Sequence, residues 1–139
     1  MEILYTPVLL NLVKVIVAML CGGLLGLERL RNREAGGILV QVLVAMGAAL
    51  FMIVSQSVSP LFISGPADMA AKVVIGAGLL GAGIIIREKG LIKGLGTAAS
   101  IWISAAIGLA IGAGLFFEGI FITIIAYLTI GWLQSYLNI

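Results

Sequence analysis

Apolar residues fall into five long blocks, each closed by a short polar or charged break. The blocks cover about 7–27, 38–54, 69–86, 97–114 and 119–137. A helix needs roughly 20 apolar residues to cross a ~30 Å hydrocarbon layer, and each block is close to that length. The pattern therefore predicts an all-α, polytopic membrane domain of five transmembrane helices. Soluble helices keep a polar face every 3.6 residues, yet Val73–Ile86 has no polar side chain. A transmembrane β-barrel would alternate apolar and polar positions, which these blocks do not do.

The breaks carry most of the local information. The first is Glu28-Arg29-Leu30-Arg31-Asn32-Arg33-Glu34, and the second runs from Ser55 to Asp68 with Pro60, Gly65 and Pro66. The third, Arg87-Glu88-Lys89-Gly90, continues as a short connector through Gly96 to Thr97, which reads as a helix cap. Gly112-Ala113-Gly114 makes the fourth, and Trp132 and Tyr136 close the last block as interfacial aromatics.

Composition agrees with this picture. Of 139 residues, 62% are hydrophobic and 10% charged, against about a quarter charged in soluble domains. Five helices would use about 100 residues, which leaves room for one domain over 1–139 and short loops. The net charge of +2 matters less than its placement. The breaks after the first and third blocks hold Arg29, Arg31, Arg33, Arg87, Lys89 and Lys93; those after the second and fourth hold only Asp68 and Glu118. The positive-inside bias puts the N-terminus outside and the C-terminus in the cytoplasm. The first block reads as a retained helix, because its arginines follow the apolar run where a signal peptide's positive charges would precede it.

Several chemistries are excluded or unsupported. With no His and the single Cys21, the chain lacks the ligands of a usual zinc site. It has no basic face interleaved with aromatics for nucleic acid. Ser100 and Ser104 have no His as base, and their i, i+4 spacing suits hydrogen bonds between helices. Gly76-x-Gly78-x-x-Gly81 matches a dinucleotide fingerprint by letter only, since it lies inside a predicted span. No enzyme, cofactor or defined metal site is expected.

The 19 glycines have a packing explanation. Gly22-x-x-x-Gly26 and Gly108-x-x-x-Gly112 place small residues on one helical face, where backbones approach closely in lipid. Gly76, Gly78, Gly81 and Gly83 give the third helix a thin waist, for tight packing or for backbone carbonyls offered to an ion.

Charges within spans are costly and so informative. Lys14 lies near the middle of the first helix and is expected to point into the bundle, toward the region of Thr123 or Thr129, or to a partner subunit. Lys72 can pair with Asp68 at i, i+4. Glu28 is expected in an exposed ion-pair rim with Arg29, Arg31 and Arg33, which would also attract anionic headgroups. All six acids fall at span ends or in loops on this reading, which disfavours a simple Mg²⁺ path through one protomer.

Read in order, Gly26-Leu27-Glu28-Arg29, Gly47-Ala48-Ala49-Leu50-Phe51, Gly76-x-Gly78-x-Leu80-Gly81-Ala82-Gly83-Ile84-Ile85-x-Arg87-Glu88, Gly94-Leu95-x-Thr97-Ala98-Ala99-x-x-Trp102 and Ala105-Ala106-Ile107-Gly108 resemble the MgtC/SapB family. The resemblance covers about Asn11 to Gly114 and marks Gly76, Gly78, Gly81, Gly83, Arg87, Thr97 and Trp102 as candidate functional or interface positions beside Lys14, Glu28, Arg29, Arg33 and Lys72. It implies a multi-pass protein of the bacterial cytoplasmic (inner) membrane, of the short form without a C-terminal soluble domain. Members are linked to low-Mg²⁺ adaptation and, in pathogens, to survival inside macrophages. The implied role is regulation of another membrane complex such as the proton-driven ATP synthase; Mg²⁺ or other ion transport is the alternative. A third possibility is a lipid-binding scaffold that uses the arginine rim. Homo-oligomerisation is expected from the glycine faces. The chain departs from the family pattern at Leu39, Val40, Lys72, Ile75 and Gly96, whereas Lys14 keeps a polar position.

Overall fold

The computed structural model describes residues 2–31, 37–58 and 65–137. They form five helices, α1 (Glu2–Arg31), α2 (Gly37–Val58), α3 (Pro66–Ile84), α4 (Leu95–Gly112) and α5 (Phe116–Leu137), with a two-stranded hairpin, β1 (Ile86–Glu88) and β2 (Leu91–Lys93), between α3 and α4. Four helices are long and apolar enough to cross a membrane: the Thr6–Arg29 part of α1, and α2, α3 and α4; α5 carries a shorter described apolar stretch, Phe116–Trp132. The chain is thus a multi-pass membrane protein. The all-α expectation misses the hairpin, which folds where a plain connector was expected.

Helix ends differ from the sequence reading for local reasons. Ser55 and Gln56, assigned to the linker, lie inside α2, and positions 59–64 fall outside the described residues. The third helix starts at Pro66, whose missing N–H costs nothing in a first turn. Thr97 is not the cap of α4. The helix starts one turn earlier, from Gly94, whose φ of 89° is left-handed. A β-carbon on Gly94 would also stand 2.6 Å from the Ile84 carbonyl oxygen, so only glycine lets the hairpin base close against α3.

The fourth helix is the centre of the bundle and packs on all four others; α3 also packs on α2, and α5 on α1. Two apolar clusters hold it. Ala18, Cys21, Leu25, Ala49, Ile107 and Ile111 join α1, α2 and α4, and Phe116, Ala126, Tyr127 and Ile130 of α5 pack against them. Ala48, Met52, Ala77, Ala105 and Leu109 join α2, α3 and α4. In lipid the drive to associate is close packing rather than escape from water, and the glycines supply it. A β-carbon on Gly22 would stand 2.6 Å from the Gln41 carbonyl oxygen, and one on Gly112 would stand 2.5 Å from that of Ala49. Gly108 is seated in the same way on the Ala45 carbonyl, and Gly26 on the Ile38 backbone. Both Gly-x-x-x-Gly faces therefore close on α2, one from α1 and one from α4.

The waist expected of α3 is largely absent. Gly81 packs on Ala98, but a β-carbon on Gly76, Gly78 or Gly83 would meet nothing within 4 Å. These glycines lie on the outer side of the bundle with Ile75 and Leu79. The first helix is the longest element. Its 30 residues span about 45 Å, against about 27 Å for the 18 of α4. Its N-terminal turns, with Pro7, run past the α4–α5 turn, and Val8, Leu9, Leu10, Leu12 and Val13 are exposed there.

Candidate functional site

Three polar features interrupt the apolar bundle. The first is Lys14, which is 8% exposed. Helical side chains tilt toward the N-terminus of their own helix, so the Lys14 stem runs along α1 away from the Arg29 end. Its Cε lies 4.0 Å from where a Gly114 β-carbon would sit, at the turn that ends α4. The negative end of a helix dipole and its last carbonyls favour a cation there. Lys14 thus points into the bundle as expected; of the hydroxyls anticipated near it, Thr123 Oγ1 donates to the Gly119 carbonyl of its own helix at 2.7 Å, and Thr129 is exposed.

The second feature is Glu28 and Arg29, at the other end of α1. The exposed rim expected here is corrected, because Glu28 is 6% and Arg29 4% exposed. Adjacent helical residues point about 100° apart, so they face different neighbours. Arg29 Nη2 donates to the Gly96 carbonyl oxygen at 2.7 Å, in the first turn of α4. A β-carbon on Gly96 would stand 3.0 Å from Arg29 Nη1, which gives this glycine a physical role. Glu28 turns to α5, where a Gly131 β-carbon would stand 3.2 Å from its Oε1. Glu28 is the second-last residue of the candidate span Thr6–Arg29, so it keeps its expected place at a span end while being buried there. Arg33 lies outside the described residues.

The third feature joins α2 to α4. Gln41 Nε2 donates to Ser100 Oγ at 2.6 Å. Ser104 Oγ donates to Gln41 Oε1, and Ser100 Oγ donates to the Thr97 carbonyl at 2.8 Å. All four residues are buried. The i, i+4 serines do bond between helices, as their spacing predicts. Their partner Gln41 escaped the sequence reading, as did Gly131, and Gly114 was read only as part of a break; a lone glutamine in an apolar block was the available signal.

The remaining candidates do not join these groups. Lys72 Nζ pairs with Asp68 Oδ2 at 3.0 Å on the outer face of α3. Arg87 is exposed on β1, and Trp102 points outward from α4. Lys14 and Glu28 share nearly one face of α1, about 21 Å apart along its axis. Between them lie Ala18, Cys21 and Leu25, closed over by Ile107 and Ile111. No group of three or more metal-ligating side chains occurs among the described residues.

A profile of the MgtC family matches residues 15–138. The chain belongs to the MgtC family. It is 43% identical over 124 residues to Protein MgtC of Salmonella typhimurium strain LT2, an alignment covering 89% of this chain and 51% of that protein. With Protein MgtC of Brucella abortus strain 2308 the identity is 48% over 98 residues, covering 70% of this chain and 40% of the relative. The chain thus spans about half the length, or less, of these MgtC relatives. No solved structure matches it.

Proposed function

We propose that this MgtC-family chain is a non-enzymatic regulator in the bacterial cytoplasmic (inner) membrane, tied to Mg²⁺ homeostasis and low-Mg²⁺ adaptation. It acts by helix contacts on another membrane complex, with the ATP synthase implied by the family resemblance as the first partner to test. The orientation has the N-terminus outside and the C-terminus cytoplasmic, as the lysine and arginine distribution indicates. One observation carries the regulatory reading: the seam between Lys14 and Glu28 is filled by Ala18, Cys21, Leu25, Ile107 and Ile111 rather than by polar groups. Ion conduction needs a ladder of polar or charged sites through the membrane. The Ser100 and Ser104 hydroxyls are engaged with Gln41, which supports a structural use for both.

The second reading, transport of Mg²⁺ or another ion, draws on Glu28, buried at the end of a candidate span, since a buried ionisable group in a membrane bundle is a default functional candidate. Mg²⁺ flux into proteoliposomes separates the two, with Lys14→Leu protein and empty vesicles as controls. The regulator gives no flux above empty vesicles. In a strain lacking the gene, Lys14→Leu then loses low-Mg²⁺ growth while the protein accumulates normally. Flux that exceeds empty vesicles and falls with Lys14→Leu would replace regulation by transport.

A further inference from the structure

The hairpin between α3 and α4 is built to a definite pattern. Ile86 pairs with Lys93, Arg87 with Ile92 and Glu88 with Leu91. The turn residues Lys89 and Gly90 both have positive φ, 47° and 84°, as the favoured two-residue hairpin turn requires. Every strand residue is exposed. A lone two-stranded hairpin is marginal in water and needs a partner surface, and no element among the described residues covers this one.

Its position says what does. A single residue, Ile85, links α3 to β1, and Gly94 alone links β2 to α4. Three residues per strand reach about 10 Å, against an interfacial layer of roughly 5–8 Å on each side of the hydrocarbon. A hairpin that leans toward the membrane surface therefore keeps its length within the headgroup zone, and only an upright one would reach past it. It carries Ile86, Leu91 and Ile92, all more than half exposed, with Arg87, Lys89 and Lys93 against Glu88 alone.

We propose that the Ile86–Lys93 hairpin binds anionic phospholipid headgroups of the leaflet at the Arg29 end of the bundle. Ile86 and Leu91, which share one face of the hairpin with Lys93, enter the upper acyl region, while Lys93 snorkels to the phosphates and Arg87 and Lys89 meet them from the other face and the turn. Lipid is favoured over free phosphate because free phosphate would leave these apolar side chains in water. The site is distinct from the arginine-rich end of α1 and does not depend on the regulatory reading.

The test uses the full chain in vesicles of phosphatidylcholine alone and of phosphatidylcholine mixed equally with phosphatidylglycerol. Spin-labelled phosphatidylglycerol and phosphatidylcholine report relative association with the protein. The wild type is expected to prefer phosphatidylglycerol, with a preference that weakens in salt. The combined Arg87→Gln, Lys89→Asn and Lys93→Gln variant is expected to lose several-fold of it, up to about fivefold per charge. Asparagine is chosen because it tolerates the left-handed turn position. An unchanged preference in a variant of normal helix content overturns the proposal, as does reversal of the wild-type preference by inorganic phosphate. A second measurement retains all the hairpin charges: an environment-sensitive fluorophore on Leu91→Cys, on the face shared with Ile86, in a Cys21→Ala background. Blue-shifted emission shielded from aqueous iodide supports lipid contact. Fully aqueous emission in both vesicle types overturns it and leaves an acidic protein partner as the occupant to seek.

Discussion

The Glu28 carboxylate lies flat against the backbone of α5 at Gly131. A β-carbon there would stand 3.2 Å from Oε1 and 3.4 Å from Cδ. Gly131→Ala asks the carboxylate to give by a few tenths of an ångström and is expected to change thermal stability little. Gly131→Leu cannot be accommodated and is expected to cost about 1–3 kcal/mol, as overpacking does. Thermal unfolding of both variants in one detergent checks the difference, and equal melting would place Glu28 away from α5.

The Gln41 clasp gives a coupling prediction. Removing the amide with Gln41→Leu strands Ser104, whose hydroxyl donates to it. Gln41→Leu and Ser104→Ala, alone and together, form a double-mutant cycle. The expected coupling is about 0.6 kcal/mol, the average for hydrogen bonds between membrane helices, and at most about 1.7 kcal/mol. Additive effects would mean the bond contributes nothing to stability.

Glycines of one chain are expected to split into two classes. Gly108→Leu drives a side chain into the Ala45 backbone, so it should abolish assembly of a well-behaved protein. Gly76→Leu and Gly83→Leu project from the bundle into open space and should leave melting and elution from a sizing column unchanged. Yield and melting temperature, measured side by side, decide the matter. A collapse of the Gly76→Leu protein would show that α3 packs differently.

The Lys72–Asp68 pair is exposed on both sides. Such pairs contribute at most about 1 kcal/mol and usually less. Lys72→Gln should therefore melt within about 0.5 kcal/mol of wild type. A larger loss would point to burial of this face against another molecule.

The contrast between Gly108 and Gly76 also marks how far the sequence can be read. Small residues four apart fix a close face, and both Gly-x-x-x-Gly pairs pack as their spacing predicts. The spacing does not say which side of a helix meets the bundle when every side is apolar, and α3 turned most of its glycines outward. Serines four apart implied bonds between helices, yet no local rule connects them to a glutamine 59 residues away. Counting charges by loop suggests the topology but leaves Glu28 and Arg29 on an exposed rim, whereas continuation of the helix to Arg31 lets both pack against neighbouring helices. The hairpin was hidden by length, since three-residue strands leave too short an alternation to detect.

The unequal lengths of α1 and α4 bear on where in a membrane this protein sits most comfortably. A bilayer matched to α1 leaves the α4–α5 turn below its surface, with exposed Glu118 drawn into hydrocarbon. One matched to α4 leaves the leucines of the α1 overhang in water. Tilting α1 relieves part of this mismatch, and the rest falls to the lipids, which thin beside α4. Membranes of shorter acyl chains relieve that deformation. Lipid thickness is thereby a physical variable to which this bundle responds.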